Sequence, residues 1–388
     1  MHSSPRQAAG HSAKEFRKKM KSRYRVIVLG AIPPPYMGPT LSTEVILNSK
    51  LKNEFDLIHL DTSDHRDLNR LNRVDLWNFL LAFKHYFMLV RSIFKHWPSL
   101  IYIPICQTTL GYFRDAPFIV IGKIFNRKIL CHLRGGNFRN WYSSSGALTR
   151  WVVRRVHSLI DGQIVLGQCL RNLFEGILPE RKIFTVSNGK NVSFDQQKKE
   201  NPDKIKILFL SNFIREKGIL DVLESIPIVY RHEPRVVFIF AGDWFDRGTK
   251  IEVENFLKNN KELPVQIKGP IFGHEKVDVL SSCDIFVFPP YQVEGHPWVI
   301  IEAMAAGLPI ISTDQGAITE SVIDGVNGFI VEKRNPYQIA EKIKFLIENS
   351  DIRKKMGEES RRLYLENFTE EKMIERLSCV FNSVLSQL

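Results

Sequence analysis

Short apolar runs rich in Val, Ile, Leu and Phe recur along the chain between longer amphipathic stretches. The runs are continuously apolar, which is typical of strands covered on both faces in a parallel α/β sheet. We predict a first series of strands at Val26–Leu29, Leu57–Leu60, Ile101–Ile105, Ile129–His132, Ile164–Leu166 and Ile183–Val186. A second series is predicted at Ile205–Leu210, Val236–Ala241, Val265–Ile267, Ile285–Phe288, Ile310–Ser312 and Phe329–Val331.

A polar segment separates the two series and reads as a linker between two doubly wound domains. The 388 residues leave enough chain for a packed core in each domain. We divide the chain into a basic, disordered tail (residues 1–23), an N-terminal domain (24–192), a linker (193–204), a C-terminal domain (205–368) and a last amphipathic helix (369–388). The tail lacks an apolar stretch before Val26, so we do not expect a secretory signal.

The net charge of +12 is concentrated in the N-terminal half. Residues 1–200 carry 31 Lys and Arg against 14 Asp and Glu, while residues 201–388 carry 23 against 28. This charge suits an anionic membrane or a phosphorylated acceptor. Nucleic acid is not expected, because no stacking or groove-reading motif accompanies the basic residues. Five scattered cysteines without CxxC spacing indicate neither a disulfide framework nor a zinc site, which fits a cytoplasmic protein.

The most apolar helix is predicted over about residues 71–97. Lys84, Arg91 and Lys95 interrupt it, whereas a membrane-spanning helix needs roughly twenty residues with few charges. We therefore expect no transmembrane span. Two interpretations stay open, a helix that packs in the core of the N-terminal domain and one that docks at the inner face of a membrane.

The most informative segment follows the strand predicted at Ile285–Phe288. Pro289-Pro290 stops this strand, so the following residues lie at the carboxyl edge of the sheet. Ligands bind at this edge in open α/β sheets. Two carboxylates, Glu294 and Glu302, follow in the loop and in the next helix.

We predict that this helix begins at Pro297 and stops at Gly307. The preceding Gly295-His296 offers none of the strong capping side chains. The N–H groups of Trp298 and Val299 are therefore candidates for binding an anion.

The segment resembles the donor-binding signature of retaining glycosyltransferases of family 4, the glycogen-synthase-like group 1 enzymes with the GT-B fold. The matching residues are Glu294, Glu302, Ala303-Met304-Ala305, Gly307-Leu308-Pro309 and Gly328. The resemblance implies that Glu302 binds the nucleotide ribose and that Glu294 contacts the transferred sugar. It also implies an α/β architecture of two Rossmann-like domains facing across a cleft, with the last helix packed back on the N-terminal domain.

Loops at other predicted strand ends resemble the same family. Gly38 follows the first strand in a Gly/Pro loop, which is either a donor-contacting loop or a plain stiff connector. Lys217 matches a lysine that reaches the donor diphosphate, but Asn212 stands where relatives carry arginine, so Arg215 is a further candidate cation. The remaining donor-binding candidates, by the same resemblance, are Gly242, Lys268 and Gly269.

The N-terminal domain offers two further candidates at a strand end, His132 and Arg134. Family members bring a basic or imidazole group to the cleft from this region, and Arg134 stands at the position we align. If the strand persists, both side chains point to one face. Which of them lines the cleft stays open. We count both as catalytic candidates beside Glu294 and Lys217, although Arg134 cannot act as a base at neutral pH.

The sequence has no DxD, HExxH or Cys/His cluster, so we predict metal-independent chemistry without a cofactor. The resemblance implies retaining transfer of a hexose from a nucleotide sugar, UDP- or GDP-linked, to a glycan or lipid-linked acceptor, as in envelope polysaccharide or lipopolysaccharide assembly. One alternative is a GT-B sugar-nucleotide epimerase or phosphorylase. Another is a non-catalytic basic module that binds membrane or nucleic acid.

Overall fold

The computed structural model describes residues 23–34, 38–63, 76–194 and 204–386. Within these residues the chain forms two sheets of six parallel strands each. The first sheet contains β1 Arg25–Gly30, β2 Asp56–Asp61, β3 Leu100–Ile105, β4 Lys128–Leu133, β5 Gly162–Val165 and β6 Ile183–Thr185. The second contains β7 Ile205–Leu210, β8 Val236–Ala241, β9 Val265–Lys268, β10 Ile285–Phe288, β11 Ile310–Ser312 and β12 Gly328–Ile330. The predicted parallel α/β class is confirmed.

The strand order of each sheet contains one point where the chain reverses its direction of travel across the sheet. The first sheet has the order β2-β1-β3-β4-β5-β6, and the second has the order β12-β11-β10-β7-β8-β9. The reversal therefore lies between β1 and β3 in the first sheet and between β7 and β10 in the second. Such switch points open a crevice at the carboxyl ends of the strands, where ligands bind.

Helices cover both faces of each sheet. In the first part of the chain they are α1 Gly38–Asn48, α2 Leu76–His96, α3 Thr109–Ile124, α4 Phe138–Ser144 and α5 Ala147–Leu159. In the second part they are α6 Ile219–His232, α7 Arg247–Asn259, α8 Gly273–Ser282, α9 Trp298–Ala305, α10 Pro336–Glu348, α11 Ser350–Asn367 and α12 Glu370–Leu385.

Two predictions at helix starts differ slightly from the structure. Gly38, which we expected in the loop after the first strand, is the first residue of α1. Helix α9 begins at Trp298, because Pro297 has an extended ψ of 128° and serves as the cap. The predicted stop holds, since Gly307 has a left-handed φ of +68°, which glycine adopts without strain.

The first sheet separates two apolar cores. Ile27 and Leu29 of β1 face the core formed with α2, α3 and α5. Val26 and Val28 face the opposite core, which α12 completes with the fully buried Phe381. The last helix of the chain therefore packs on the first sheet, not on the second, whose core is built from the residues between β7 and α11.

Residues 1–22 of the predicted basic tail and residues 195–203 of the predicted linker lie outside the described residues. In the part of the chain that is described, no helix has both the length and the apolar character needed to cross a bilayer.

Candidate active site

Two loops meet at the switch point of the second sheet, one after β7 and one after β10. The first loop ends in the turn Arg215–Lys217, followed by Gly218 with φ +81°. A Cβ at Gly218 would collide with the carbonyl oxygen of Pro289, so the two loops approach as closely as glycine allows. The N–H of Tyr291 also donates to the carbonyl of Glu216 at 3.0 Å.

This packing brings Lys217 and Glu294 together. Lys217 Nζ lies 2.5 Å from Glu294 Oε1, and Gln292 Nε2 donates to the same oxygen at 2.9 Å. The Lys217 and Glu294 side chains are only 18% and 11% exposed, so their attraction is weakly screened by water. Sequence reasoning placed both residues at the edge of the cleft but did not anticipate Gln292.

The backbone of Glu294 is held between two glycines, one from each sheet's loops. A Cβ on Gly136, beyond β4, or on Gly316, beyond β11, would collide with the carbonyl oxygen of Glu294. Gly316 also has φ +59°, and the next residue, Ala317, donates its N–H to Gly295 O at 2.8 Å. The glutamate that faces Lys217 is therefore positioned by contacts from both halves of the molecule.

Glu302 lies on α9 and forms two ion pairs. Lys276 Nζ of α8 is 2.6 Å from Oε2, and Lys190 Nζ, which follows β6 of the first sheet, is 2.8 Å from Oε1. Burial by itself would raise the pKa of Glu302, but Lys276 and then Lys190 outweigh it and hold the pKa below its ordinary value. Glu302 is thus an ionised, buried carboxylate. Neither lysine was predicted, because both belong to segments distant in sequence.

The start of α9 faces the start of α1 across the cleft. Pro297, the N-cap residue of α9, makes no side-chain capping hydrogen bond. The position that a Cβ would take on Gly38 is 3.6 Å from Cδ1 of Trp298. Trp298 packs against the cores of both halves, and Val299 beside it is partly buried. The positive ends of two helix dipoles therefore lie close together.

His296 joins the two halves below this site. Its Nδ1 accepts the N–H of Asn188 at 3.1 Å, and its Nε2 lies 2.6 Å from Ser321 Oγ. Asn188 also donates its side-chain amide to the carbonyl of His296 at 2.8 Å. Burial lowers the pKa of His296 to about 4, so the ring is neutral at physiological pH. Asn188 and His296 thus form a contact between the domains.

Arg134 and His132 share one partner, Tyr102 of β3. Arg134 Nη2 donates to Tyr102 Oη at 2.6 Å, and Oη lies 2.7 Å from His132 Nδ1. His132 is buried, and burial followed by the charge of Arg134 holds its pKa well below the ordinary value. Arg134 is partly exposed, and its Nη1 also lies 3.4 Å from Asn188 Oδ1. Of the two candidates, Arg134 is the one that reaches the surface.

Two candidates on the β7 loop are exposed to solvent. Asn212 is exposed, and Arg215 forms an ion pair with Glu252 of α7 at 2.8 Å. Both therefore lie outside the buried group around Lys217.

The remaining candidates lie at the carboxyl ends of β8 and β9. Gly242 is the residue after β8. Its backbone lies so close to the carbonyl oxygen of Ser211 that a Cβ at this position would collide with that oxygen. Lys268 ends β9, and the carbonyl of Gly269 accepts the N–H of Gly242 at 3.2 Å. Among the described residues, no group of His, Cys, Asp and Glu side chains is arranged to hold a metal ion.

Comparison with known proteins finds a family match for the second half of the chain and relatives among curated proteins. Residues 192–363 match the family model described as glycosyl transferases group 1. Spore coat protein SA of Bacillus subtilis is 31% identical over 183 residues, 45% of this chain and 48% of that protein. The capsular polysaccharide biosynthesis glycosyltransferase CapM of Staphylococcus aureus is 28% identical over 185 residues, 48% of each chain. This chain thus spans about half the length of these curated relatives.

The fold is also found among solved structures. The crystal structure of Anabaena Alr3699/HepE in complex with UDP and glucose aligns with a TM-score of 0.68 and 16% identity, over 93% of this chain and 100% of that chain. At this identity the likeness is one of fold. It confirms the predicted GT-B architecture of two Rossmann-like domains, and the family match confirms the predicted resemblance to group 1 enzymes. The narrower assignment to family 4 stays a prediction.

Proposed function

We propose that this protein, whose residues 192–363 belong to the group 1 glycosyltransferases, transfers a hexose from a nucleotide sugar to a glycan or lipid-linked acceptor. The observation that carries the proposal is the Lys217–Glu294 ion pair of 2.5 Å at the switch point between β7 and β10. A departing diphosphate needs a preorganised cation, and sugar hydroxyls need an acceptor such as a carboxylate. The HepE structure contains UDP and glucose, so a UDP-linked sugar is our first candidate donor.

The ion pair suggests how the donor is received. Glu294 Oε1 accepts a hydrogen bond from Lys217 Nζ, so neither buried charge is left without a partner. We expect the donor diphosphate to draw Lys217 Nζ toward a phosphate oxygen. The Glu294 carboxylate then accepts a hydrogen bond from a hydroxyl of the hexose, while Gln292 continues to donate a hydrogen bond to the same carboxylate. The same two side chains therefore serve both halves of the donor.

Glu302 is suited to the nucleoside end. Its carboxylate is ionised and can accept hydrogen bonds from the two adjacent hydroxyls of a ribose. Lys276 and Lys190 keep the charge of Glu302 compensated while it is buried. The uncapped start of α9 adds positive potential beside the phosphates.

We propose that transfer retains the anomeric configuration. The bond from the anomeric carbon to the phosphate oxygen breaks, the acceptor oxygen bonds to the same face, and the departing phosphate oxygen takes the acceptor's proton. Lys217, the helix starts and Arg134 stabilise the negative charge that develops on the leaving group. We propose that no metal ion takes part, and added EDTA should then leave the rate unchanged.

The acceptor assignment rests on the first domain and on the relatives. CapM is named for capsular polysaccharide biosynthesis, and the basic N-terminal half of this chain suits an acceptor bearing phosphate. We therefore propose a role in envelope polysaccharide assembly on the cytoplasmic side of an anionic membrane.

A ligand panel tests the donor site. UDP, GDP, ADP and their hexose conjugates are compared by thermal shift, since a ligand that binds only the folded state raises the unfolding temperature. We expect one nucleotide series to stabilise the wild-type protein and Lys217→Met to bind its diphosphate about tenfold more weakly. Arg215→Met is the matched control, because Arg215 lies in the same turn but is exposed and paired with Glu252. If no nucleotide shifts the wild-type protein, the proposed donor site is wrong.

Radiolabelled donor then tests the reaction class. Transfer of the label to an acceptor extract, with a product whose anomeric configuration matches that of the donor, supports the proposal. Conversion of the donor into an epimer without acceptor would indicate an epimerase, and release of sugar 1-phosphate would indicate a phosphorylase.

A further inference from the structure

The first domain exposes apolar side chains on three helices that lie side by side. Tyr86 of α2 donates to the carbonyl of Arg114 in α3 at 2.8 Å. Tyr112 of α3 lies 2.8 Å from Nδ1 of His157 in α5. We call the outer side of α2, α3 and α5 the apolar face.

On α2 the aromatic stripe points away from the core. Leu89 and Ile93 are buried, so the expected core-packing role holds for them. Phe83 and Phe87, one helical turn apart, are 67% and 68% exposed, and Phe94 continues the stripe. A surface helix of a globular protein normally turns such a stripe inward. This outward stripe is therefore available for a partner.

Helices α3 and α5 extend the same surface. Their outward apolar side chains are Leu110, Phe113, Val120 and Ile124 on α3, and Leu148, Trp151 and Leu159 on α5. Single exposed apolar residues are ordinary on a protein surface, but a patch continued over three adjacent helices is typical of an interaction site.

The charges on these helices are almost all positive. The three helices contain eight Lys and Arg, of which six are exposed, and one acid, Asp115. Asp115 is buried and paired with Arg114 at 2.9 Å. Cations also lie against aromatic rings at the edges of the face, with Arg127 4.3 Å from the ring centre of Trp97. The partner must therefore offer both an apolar region and negative charge.

We propose that the apolar face docks on the surface of an anionic lipid bilayer. Phenylalanine and leucine side chains would enter the boundary between head groups and acyl chains, while Lys and Arg extend to the lipid phosphates. A second copy of the chain fits less well, because it would set one cationic face against another. Nucleic acid fits less well too, since aliphatic residues such as Leu80 and Ile124 contribute nothing to base stacking.

The apolar face also borders the candidate active site. Helix α3 starts just after Gln107, whose Oε1 accepts the N–H of Asn137 at 2.9 Å. The adjacent Gly136 is the residue pressed against the Glu294 carbonyl. A docked molecule would thus present its cleft near the bilayer, where a lipid-linked acceptor would be found. This last step, unlike docking itself, rests on the proposed function.

Vesicle flotation of the full-length protein tests docking. Vesicles of phosphatidylcholine alone are compared with vesicles containing about 30% phosphatidylglycerol, which carry the anionic charge the face requires. We expect binding to the anionic vesicles, weakened at least about tenfold by Phe83→Ser with Phe87→Ser, whose side chains are already exposed and whose loss should not unfold the domain. Lys84→Glu with Arg91→Glu should weaken binding by roughly tenfold or more.

The matched control is Tyr337→Ser with Leu365→Ser on the second domain, which removes two similarly exposed apolar side chains and should leave binding unchanged. All variants keep residues 1–22, so the basic tail contributes equally to each measurement. Failure to bind anionic vesicles, or binding that the phenylalanine variant retains in full, overturns the proposal. So does light scattering that shows a dimer which this variant dissociates. Nucleotide thermal shifts on the same samples report the donor site separately.

Discussion

The two domains follow one plan, six parallel strands covered by helices, yet their outer surfaces differ. On the first domain, α2, α3 and α5 expose aromatic and aliphatic stripes among cations. On the second domain, α10 and α11 carry six acids and seven Lys and Arg, partly joined in ion pairs such as Arg362–Glu366 at 2.7 Å. A shared topology therefore leaves the surface chemistry free. The second domain contributes Lys217, Glu294 and Glu302 to the proposed donor site, and the first domain carries the proposed docking surface.

The largest expected effect concerns the last helix, which follows the second domain in sequence but completes the first in space. Phe381 is fully buried, with its ring centre 5.3 Å from that of Phe55. Phe381→Ala should destabilise the first domain by roughly 3–5 kcal/mol through lost burial and the cavity left behind. In this variant, amide hydrogen exchange should be accelerated relative to the wild type more in β1 and β3 than in β7 and β8.

Phe345→Ala on α10 is the control, because this phenylalanine is partly exposed and belongs to the second domain. Equal acceleration of exchange in both sheets after Phe381→Ala would mean that the domains unfold as one unit. The two domains would then not be separable in stability.

Acid should distinguish the domains next, because burial lowers the pKa of His132 and His157 in the first domain. Burial lowers the pKa of His157 to about 4, while the unfolded chain titrates near 6.5. Its contribution is thus fully present above pH 6.5 and is lost as the pH falls toward 4, by roughly 3 kcal/mol. We expect the denaturant concentration at the unfolding midpoint to decrease as the pH is lowered from 7 to 5, and to decrease earlier for the first domain than for the second.

His296 has the same lowered pKa but lies between the domains. His157→Phe should make the denaturant midpoint of the first domain less dependent on pH and leave that of the second domain unchanged. His296→Gln should instead reduce the pH dependence of the contact between the domains. An identical pH dependence in the His157→Phe variant and the wild type would contradict the assignment.

The sequence predicts the inner strands well, because strands such as β8 and β10 are buried on both faces and are therefore apolar throughout. With help from the family resemblance, it also places Lys217 and Glu294 in loops that follow strands and Glu302 on the next helix. It does not predict Lys190 as a partner of Glu302, since 112 residues separate them and only the tertiary fold brings them together. Nor can periodicity say whether the apolar side of α2 faces the core or the solvent.

The last prediction concerns Gly136, at the contact where the two domains meet. Its substitution should have the smallest effect on stability but a large effect on activity. Gly136→Ala places a methyl group against the carbonyl oxygen of Glu294 and within 2.9 Å of Val293 Cγ1. Each domain can remain folded if the cleft opens slightly, but Glu294 then shifts relative to the first domain. A displacement of about 1 Å at a reacting centre costs roughly 100-fold in rate. We expect that loss in kcat, with an almost unchanged unfolding temperature.

Gly146→Ala provides the matched control in the same domain, because no atom lies within 4 Å of the position its Cβ would take. It should retain wild-type activity. If Gly136→Ala were equally active, the contact between Gly136 and Glu294 would not be needed for the reaction, and the first domain would not position the proposed catalytic carboxylate. If activity falls as expected, the first domain has two roles, since it holds Glu294 in place as well as offering the apolar face.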